Sequence, residues 1–428
     1  MKRPVALVLW ATLLSATAEA ESIELDPAVE ANVLAIHARN PDLRDDAFAK
    51  MGGSSVESKA FLYCFATPYV NLGDHTELQD TINYFDTGRR NSFNRRSRAA
   101  GVSWNLRYVL GGRPAHFREE IKATDARWAL VLFGSNDAQN QNERIYVRRL
   151  VRLVEELEAI GVVPVLGSAS PRRNRTKDRW IQRFNAITKA VATHWELPYI
   201  NYHGTMTELP RKGLARDGVH PNVLGQGGVR AACQLTEKGL RYGNNARNLL
   251  TLQMLDALRR LVAVPVTAPV PVTAPAPVPV TAPAPAPVPA PVPAPVPASV
   301  PAPVPVTSRL FGVTAVDLPF SVLVDKPSLA VGEALPGCGG LRPGARTYRV
   351  SVMVEELTRL RASALDLDGF KARVFWVRIG EDGARCVKRR NQTLEVAASP
   401  GLWDLIVEVS ERAAAKGEML ILIDHNPR

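Results

Sequence analysis

The sequence predicts an α/β domain built on a parallel sheet, followed by a small antiparallel β-sandwich. Three observations carry this. Short apolar runs alternate with amphipathic helical patterns up to about residue 262. A segment of almost only Pro, Ala, Val and Thr follows. After it the pattern changes to short alternating strands.

In the first body, "WALVLF" (Trp128–Phe133) is a continuous apolar run, as a strand buried on both faces requires. In "NERIYVRRLVRLVEELEAIG", Val147, Leu150, Val151, Val154 and Leu157 fall at helical spacing, and Gly161 supplies a stop. "VVPVLGSAS" reads as the next strand. "RWIQRFNAITKAVATHW" is helical again, with Ile181, Phe184, Ile187 and Val191 on one face, and "PYIN" closes as a short strand. Such alternation predicts a parallel sheet with helices on both faces. Repeated proline in 263–307 fixes φ and removes amide donors, so the expectation there is an extended polyproline spacer. In 308–428, "RTYRVSVMVEEL", "ARVFWVRI", "LWDLIVEV" and "EMLILIDH" read as strands of the sandwich.

The first twenty residues, "MKRPVALVLWATLLSATAEA", pair an early Lys-Arg with a short apolar run and small residues. They read as a signal peptide cleaved after Ala20, and the expected location is periplasmic or secreted. The run is too short for an ordinary spanning helix, so no membrane segment is expected after cleavage. An exported chain tends to bridge its cysteines. Pairing within each body gives Cys64–Cys233 and Cys338–Cys386, and the spacing suggests no zinc site. The net charge of +11 comes largely with arginine clusters, but no basic stripe is interleaved with aromatics. A solvated basic face, or an acidic substrate, is expected rather than a nucleic acid.

Three short blocks carry chemistry. "KMGGSSVESKAFLYCF" delivers Ser54 and Ser55 into a helix after a Gly-Gly pair. Such a position exposes a hydroxyl beside unpaired helix amides, although a simple cap or turn uses the same residues. "FGSND" (Phe133–Asp137) follows the clearest strand, where open α/β sheets place ligands, and offers the Asn136 amide. "LARDGVHPN" places Asp217 three residues before His220 in a turn, so the carboxylate can fix the imidazole tautomer and leave Nε2 free for a serine proton. The other six histidines have no such setting.

In that order, over about 22–250, Gly-x-Ser, Gly-x-Asn-Asp and Asp-x-x-His resemble the SGNH (GDSL) hydrolase superfamily. The resemblance implies a flavodoxin-like three-layer α/β/α fold and an ester hydrolase needing no cofactor or metal. Carried over by position, Ser54 is the nucleophile, His220 the base and Asp217 its orienting carboxylate; Ser55 is the runner-up for the nucleophile. The oxyanion donors are the Ser54 amide, Asn136, and the family's isolated glycine, best matched by Gly101 with Gly111 and Gly112 as competitors. Two departures stand out. Gly53 occupies the place of the family's aspartate, and the stretch from Ala66 to Arg127 is long, with Arg95, Arg96 and Arg98 as candidate contacts to an acidic substrate. The second body resembles bacterial pre-peptidase C-terminal domains, which implies surface or polymer binding. The expected substrates are small esters or acylated glycans. An acyltransferase using the same site, or a non-catalytic surface- or carbohydrate-binding protein, are the alternatives.

Overall fold

In this computed structural model the described residues are 23–263 of the first body. In the second body they are 312–314, 318–331, 345–354, 358–368, 370, 372–380, 383–415 and 417–425. The expected signal peptide, almost all of the Pro-rich linker and Cys338 lie outside them.

The first body opens with α1 (Pro27–His37), β1 (Arg44–Gly52) and α2 (Ser54–Glu57), and continues through α3 (Gln79–Phe85), α4 (Leu106–Val109) and α5 (His116–Thr124) to β2 (Ala126–Leu132). Next come α6 (Glu143–Glu158), β3 (Val163–Gly167), α7 (Arg175–His194), β4 (Tyr199–Ile200) and α8 (Tyr202–Thr207). The short α9 (Val229–Ala232) and α10 (Glu237–Leu240) precede the long α11 (Gly243–Ala263). The four strands are parallel, in the order β1-β2-β3-β4. On the free side of β1 a further strand is reduced to one parallel bridge, Gly52 to Ala100. With that bridge counted, the chain crosses from one side of β1 to the other, which is the flavodoxin-like order. Its switch point lies between the carboxyl ends of β1 and β2.

β2 is buried at every position, as its apolar run requires. β1, "RDDAFAKMG", is buried too from Ala47 onward, although it carries charges. Asp45 takes a hydrogen bond from the buried Arg127 at 2.9 Å, and Lys50 donates to the Phe93 carbonyl at 2.6 Å. Phe48 packs edge-on against Phe85 and Phe93. Cys64 and Cys233 are disulfide-bonded, with Cα atoms 5.6 Å apart. Cys386 is also disulfide-bonded; the expected partner, Cys338, falls outside the described residues.

The second body has β5 (Gly312–Thr314), β6 (Phe320–Asp325), β7 (Ala330–Val331), β8 (Arg346–Val354) and β9 (Thr358–Asp366). It continues with β10 (Arg373–Gly380), β11 (Gly383–Asn391), β12 (Thr393–Ala398), β13 (Gly401–Val409), a turn of helix α12 (Glu411–Ala414) and β14 (Glu418–His425). One sheet runs β11-β10-β13-β8-β5 with β7 on β8, the other β12-β9-β14-β6. All pairings are antiparallel except β5 with β8. Trp376 and Trp403 meet edge-on in the core between the sheets.

β14 shows why its sequence is apolar almost throughout. Met419, Ile421 and Ile423 enter the sandwich core, while Leu420, on the opposite face, joins the core of the first body. There β6 and β14 pack on α7. Ser321 donates to the Ala186 carbonyl at 2.6 Å, and Arg183 links Glu143 to Asp424. Among the described residues no helix is long and apolar enough to cross a membrane.

Candidate active site

β1 ends at Gly52, and the chain turns through Gly53 into α2, so Ser54 stands at the first helical position. Val56 and Glu57 donate to the Gly53 carbonyl, while the amides of Ser54 and Ser55 belong to the helix's first turn and have no intrahelical acceptor. β2 ends at Leu132, and Asn136 follows in the adjoining loop. Because β1 and β2 are neighbours, the serine and the asparagine reach the same rim.

Asn136 is fixed by two hydrogen bonds. Its Nδ2 donates to the Trp104 carbonyl at 2.8 Å, and its Oδ1 accepts from Gln139 at 3.2 Å. The second Nδ2 hydrogen is left beside Gly53. A Cβ on Gly53 would sit 2.9 Å from Asn136 Nδ2 and 3.3 Å from the Trp104 carbonyl oxygen. Glycine stands here for space: its neighbour occupies the place a side chain would take. Asp137 ties the same loops together, accepting from the amides of Leu106 at 3.1 Å and Gly134 at 3.2 Å. Burial outweighs those bonds and pushes its carboxyl up to about 6.

His220 arrives from the opposite direction. Ser54 Oγ lies 2.8 Å from His220 Nε2, and His220 Nδ1 lies 2.6 Å from Asp217 Oδ2. Asp217 Oδ1 closes its own turn by accepting from the amides of Val219 at 2.8 Å and His220 at 3.0 Å. Partial burial opposes ionisation of Asp217. The hydrogen bonds from the His220 ring and the two amides overcome it and hold the carboxyl at about 2. The acid is therefore ionised at neutral pH, so Nδ1 carries the proton and Nε2 is the acceptor facing the serine. The side chains of His220 and Asp217 are 46% and 47% exposed, so solvent reaches them directly.

The loop bearing Asp217 and His220 is clamped from behind. Arg173 donates to the carbonyls of Arg216 at 2.9 Å and Ala215 at 2.8 Å, and its amide bonds Gly218 at 3.0 Å. The buried Arg172 reaches the Val219 carbonyl at 3.1 Å. Gly218 has φ +68°, and a Cβ there would strike the Arg173 side chain at 2.8 Å. Asn244 holds the Pro221 carbonyl at 2.9 Å, and Asn222 Oδ1 accepts from the Gly243 amide at 2.7 Å. From the same helix, Asn248 bonds the backbone of Leu62 and Ala60, and Arg247 reaches the Ser55 carbonyl at 3.4 Å. The start of α11 thus touches both the serine segment and the histidine loop. Its sequence signal is "GNNARN", three asparagines and an arginine in one stretch of a buried helix.

One expected donor is corrected. The Gly101 amide donates to the Gly52 carbonyl at 3.1 Å, because residues 100–101 serve as the vestigial strand beside β1. A committed N–H cannot meet an oxyanion. Of the competitors, the Gly111 amide bonds the Tyr108 carbonyl, and Gly112 bridges Ala115. Ser55 follows Ser54 on α2, while the bond to His220 is made by Ser54.

Residues 73–227 match the model of the GDSL-like Lipase/Acylhydrolase family. That span holds Asn136, Asp217 and His220 and begins after Ser54. A comparison with the curated proteins gives no match. Similar solved structures include a GDSL-like lipase from Bacteroides thetaiotaomicron, 18% identical, covering 53% of this chain and 98% of that one at a TM-score of 0.33. An acetylxylan esterase from Geobacillus stearothermophilus is 15% identical, with 49% and 93% covered and a TM-score of 0.34. A putative acylhydrolase from Bacteroides fragilis is 19% identical, with 55% and 100% covered and a TM-score of 0.33. Over residues 73–227 the α/β domain of this chain is thus similar to the GDSL-like Lipase/Acylhydrolase family.

Proposed function

We propose that the chain is an exported serine esterase that works through an acyl-enzyme on Ser54. The observation that carries this is the hydrogen-bonded line from Ser54 Oγ through His220 to Asp217. His220 Nε2 takes the hydroxyl proton as Oγ attacks the ester carbonyl. The Ser54 amide and Asn136 Nδ2 face the developing oxyanion. Collapse expels the alcohol, which receives the proton from His220. Water, deprotonated by His220, then attacks the acyl-enzyme and releases the acid. The half-exposed histidine admits that water.

Small acyl groups on extracytoplasmic glycans are the proposed substrates, on the strength of the signal-like start and the disulfide. The missing family aspartate does not argue for a decayed site, since Asn136 fills the space at Gly53 and the serine still meets its base. Turnover of p-nitrophenyl acetate by the full chain tests the reading. Ser54→Ala and His220→Ala should each lower kcat by about 10⁴-fold or more, and Ser55→Ala by less than tenfold. Equal, slow turnover by all four proteins would sink it.

A further inference from the structure

The flank of α2 carries a basic cavity that the ester chemistry does not use. Its volume is about 260 Å³, and its walls include Lys50, Lys59, Arg95, Arg96, Glu57 and Tyr63. Four cations therefore face one carboxylate. Arg96 lies 3.6 Å from Glu57, and Arg95 pairs with the buried Glu120. Among the described residues neither Lys50 nor Lys59 has a carboxylate partner at ion-pair distance.

Lys50 is the informative member. It is 3% exposed, and its Nζ spends one donor on the Phe93 carbonyl and lies 5.1 Å from the Tyr63 ring centre. Burial pushes the ammonium down to about 7, against the pull of Glu120. A buried lysine whose nearby carboxylate, Glu120, is paired instead with Arg95 is costly, and a methionine would fill the same space without that cost. An anion in the cavity would supply the missing charge and accept the remaining donors.

We propose that this cavity is a subsite for a compact oxyanion, a carboxylate or phosphate, carried by the ester substrate. Position supports the link to the reaction, and this part rests on the esterase reading. Ser54 begins α2 and Glu57 ends it, about 5 Å further along the axis, so a group of single-sugar size spans both. The chain's net charge of +11 draws such substrates from a distance.

The test begins with binding, which needs no catalysis. Inorganic phosphate is titrated calorimetrically into full-length Ser54→Ala protein. Saturable binding is expected. It should weaken at least tenfold when Lys59→Ala and Arg96→Ala are added together; Lys59 is exposed and the Arg96 side chain is 81% exposed, so the fold is not at risk. Lys50→Met should weaken it similarly. No saturable binding, or binding unchanged in both backgrounds, overturns the subsite. The second arm compares kcat/KM for matched acetate esters with and without a carboxylate on the alcohol. The intact protein should prefer the charged ester. The Lys59→Ala/Arg96→Ala pair should reduce that preference about tenfold, mainly through KM. An unchanged preference alongside lost phosphate binding overturns the assignment to substrate and leaves a site for free anion. Phosphate binding by a protein that turns over no ester would sink the esterase reading and leave the cavity standing.

Discussion

The serine side and the histidine side of the site are positioned by different forces. Ser54 and Asn136 stand at the ends of adjacent parallel strands, so the backbone ladder of β1 and β2 sets their separation. His220 and Asp217 sit in an irregular loop after a short 3-10 turn (Pro210–Gly213), where no ladder exists. There, arginine and asparagine side chains hold the loop's carbonyls instead. The contrast teaches where each half is vulnerable. Strand-end geometry tolerates the loss of a side chain but not an intrusion into its tight packing. A clamped loop tolerates neighbours but not the loss of its donors.

The largest test of that contrast is the Cys64–Cys233 bridge. Cys64 follows the serine helix and Cys233 follows the histidine loop, so the bridge joins the two halves across 169 residues of sequence. The chain-entropy account expects removal by Cys64→Ala/Cys233→Ala to cost roughly 5 kcal/mol of stability. If each half is held by its own means, kcat of the folded variant at low temperature should stay within about threefold of the parent. Denaturant unfolding and initial rates at 15 °C measure the two effects separately. A stability loss accompanied by a hundredfold fall in kcat would show that the bridge, rather than ladder and clamps, aligns the site.

The next effect concerns intrusion. Gly53→Asp restores the residue typical of the family, yet here it should lower kcat by about 10²-fold. The new Cβ meets Asn136 Nδ2 at 2.9 Å and must push the amide from the oxyanion rim. Stability should change little, because the displaced atom ends a side chain. Higher activity in Gly53→Asp would mean that Asn136 is not a donor in the reaction.

The same contrast decides what the sequence could disclose. The run Trp128–Phe133 announces β2 because both its faces are buried. The spacing of Asp217 and His220 announces their contact because a three-residue turn closes it locally. β1 gives no such signal: Asp45, Asp46 and Lys50 interrupt it, and while Asp46 pairs locally with Arg44, the partners of Asp45 and Lys50, Arg127 and the Phe93 carbonyl, come from far along the chain. Gly101 misled for a related reason. A lone glycine does not say whether its amide is free, and here one bridge to β1 consumes it. The clamps were equally hidden, since an arginine that binds carbonyls looks like a surface arginine until the loop it holds is in place. The antiparallel strands of the second body were legible from their alternation, but the burial of β14 on both faces depends on α7, more than 220 residues earlier.

The smallest expected effect probes the clamp itself. Arg173→Ala removes the bonds to the carbonyls of Arg216 and Ala215 but keeps the backbone bond to Gly218. The loop stays folded with its His220 less well aimed, so kcat should fall about tenfold while KM moves less than twofold. Arg173→Lys should recover only part of this, because one ammonium on a flexible stem replaces a rigid two-pronged donor. Asp217 still receives its bonds from Val219 and His220 in both variants, so its carboxyl stays ionised and the shape of the pH–rate profile should not change. That combination separates aiming from proton affinity. A shifted profile with normal kcat at its plateau would mean that Arg173 acts on the charge of the Asp217–His220 pair, and the mechanical account of the clamp would fail.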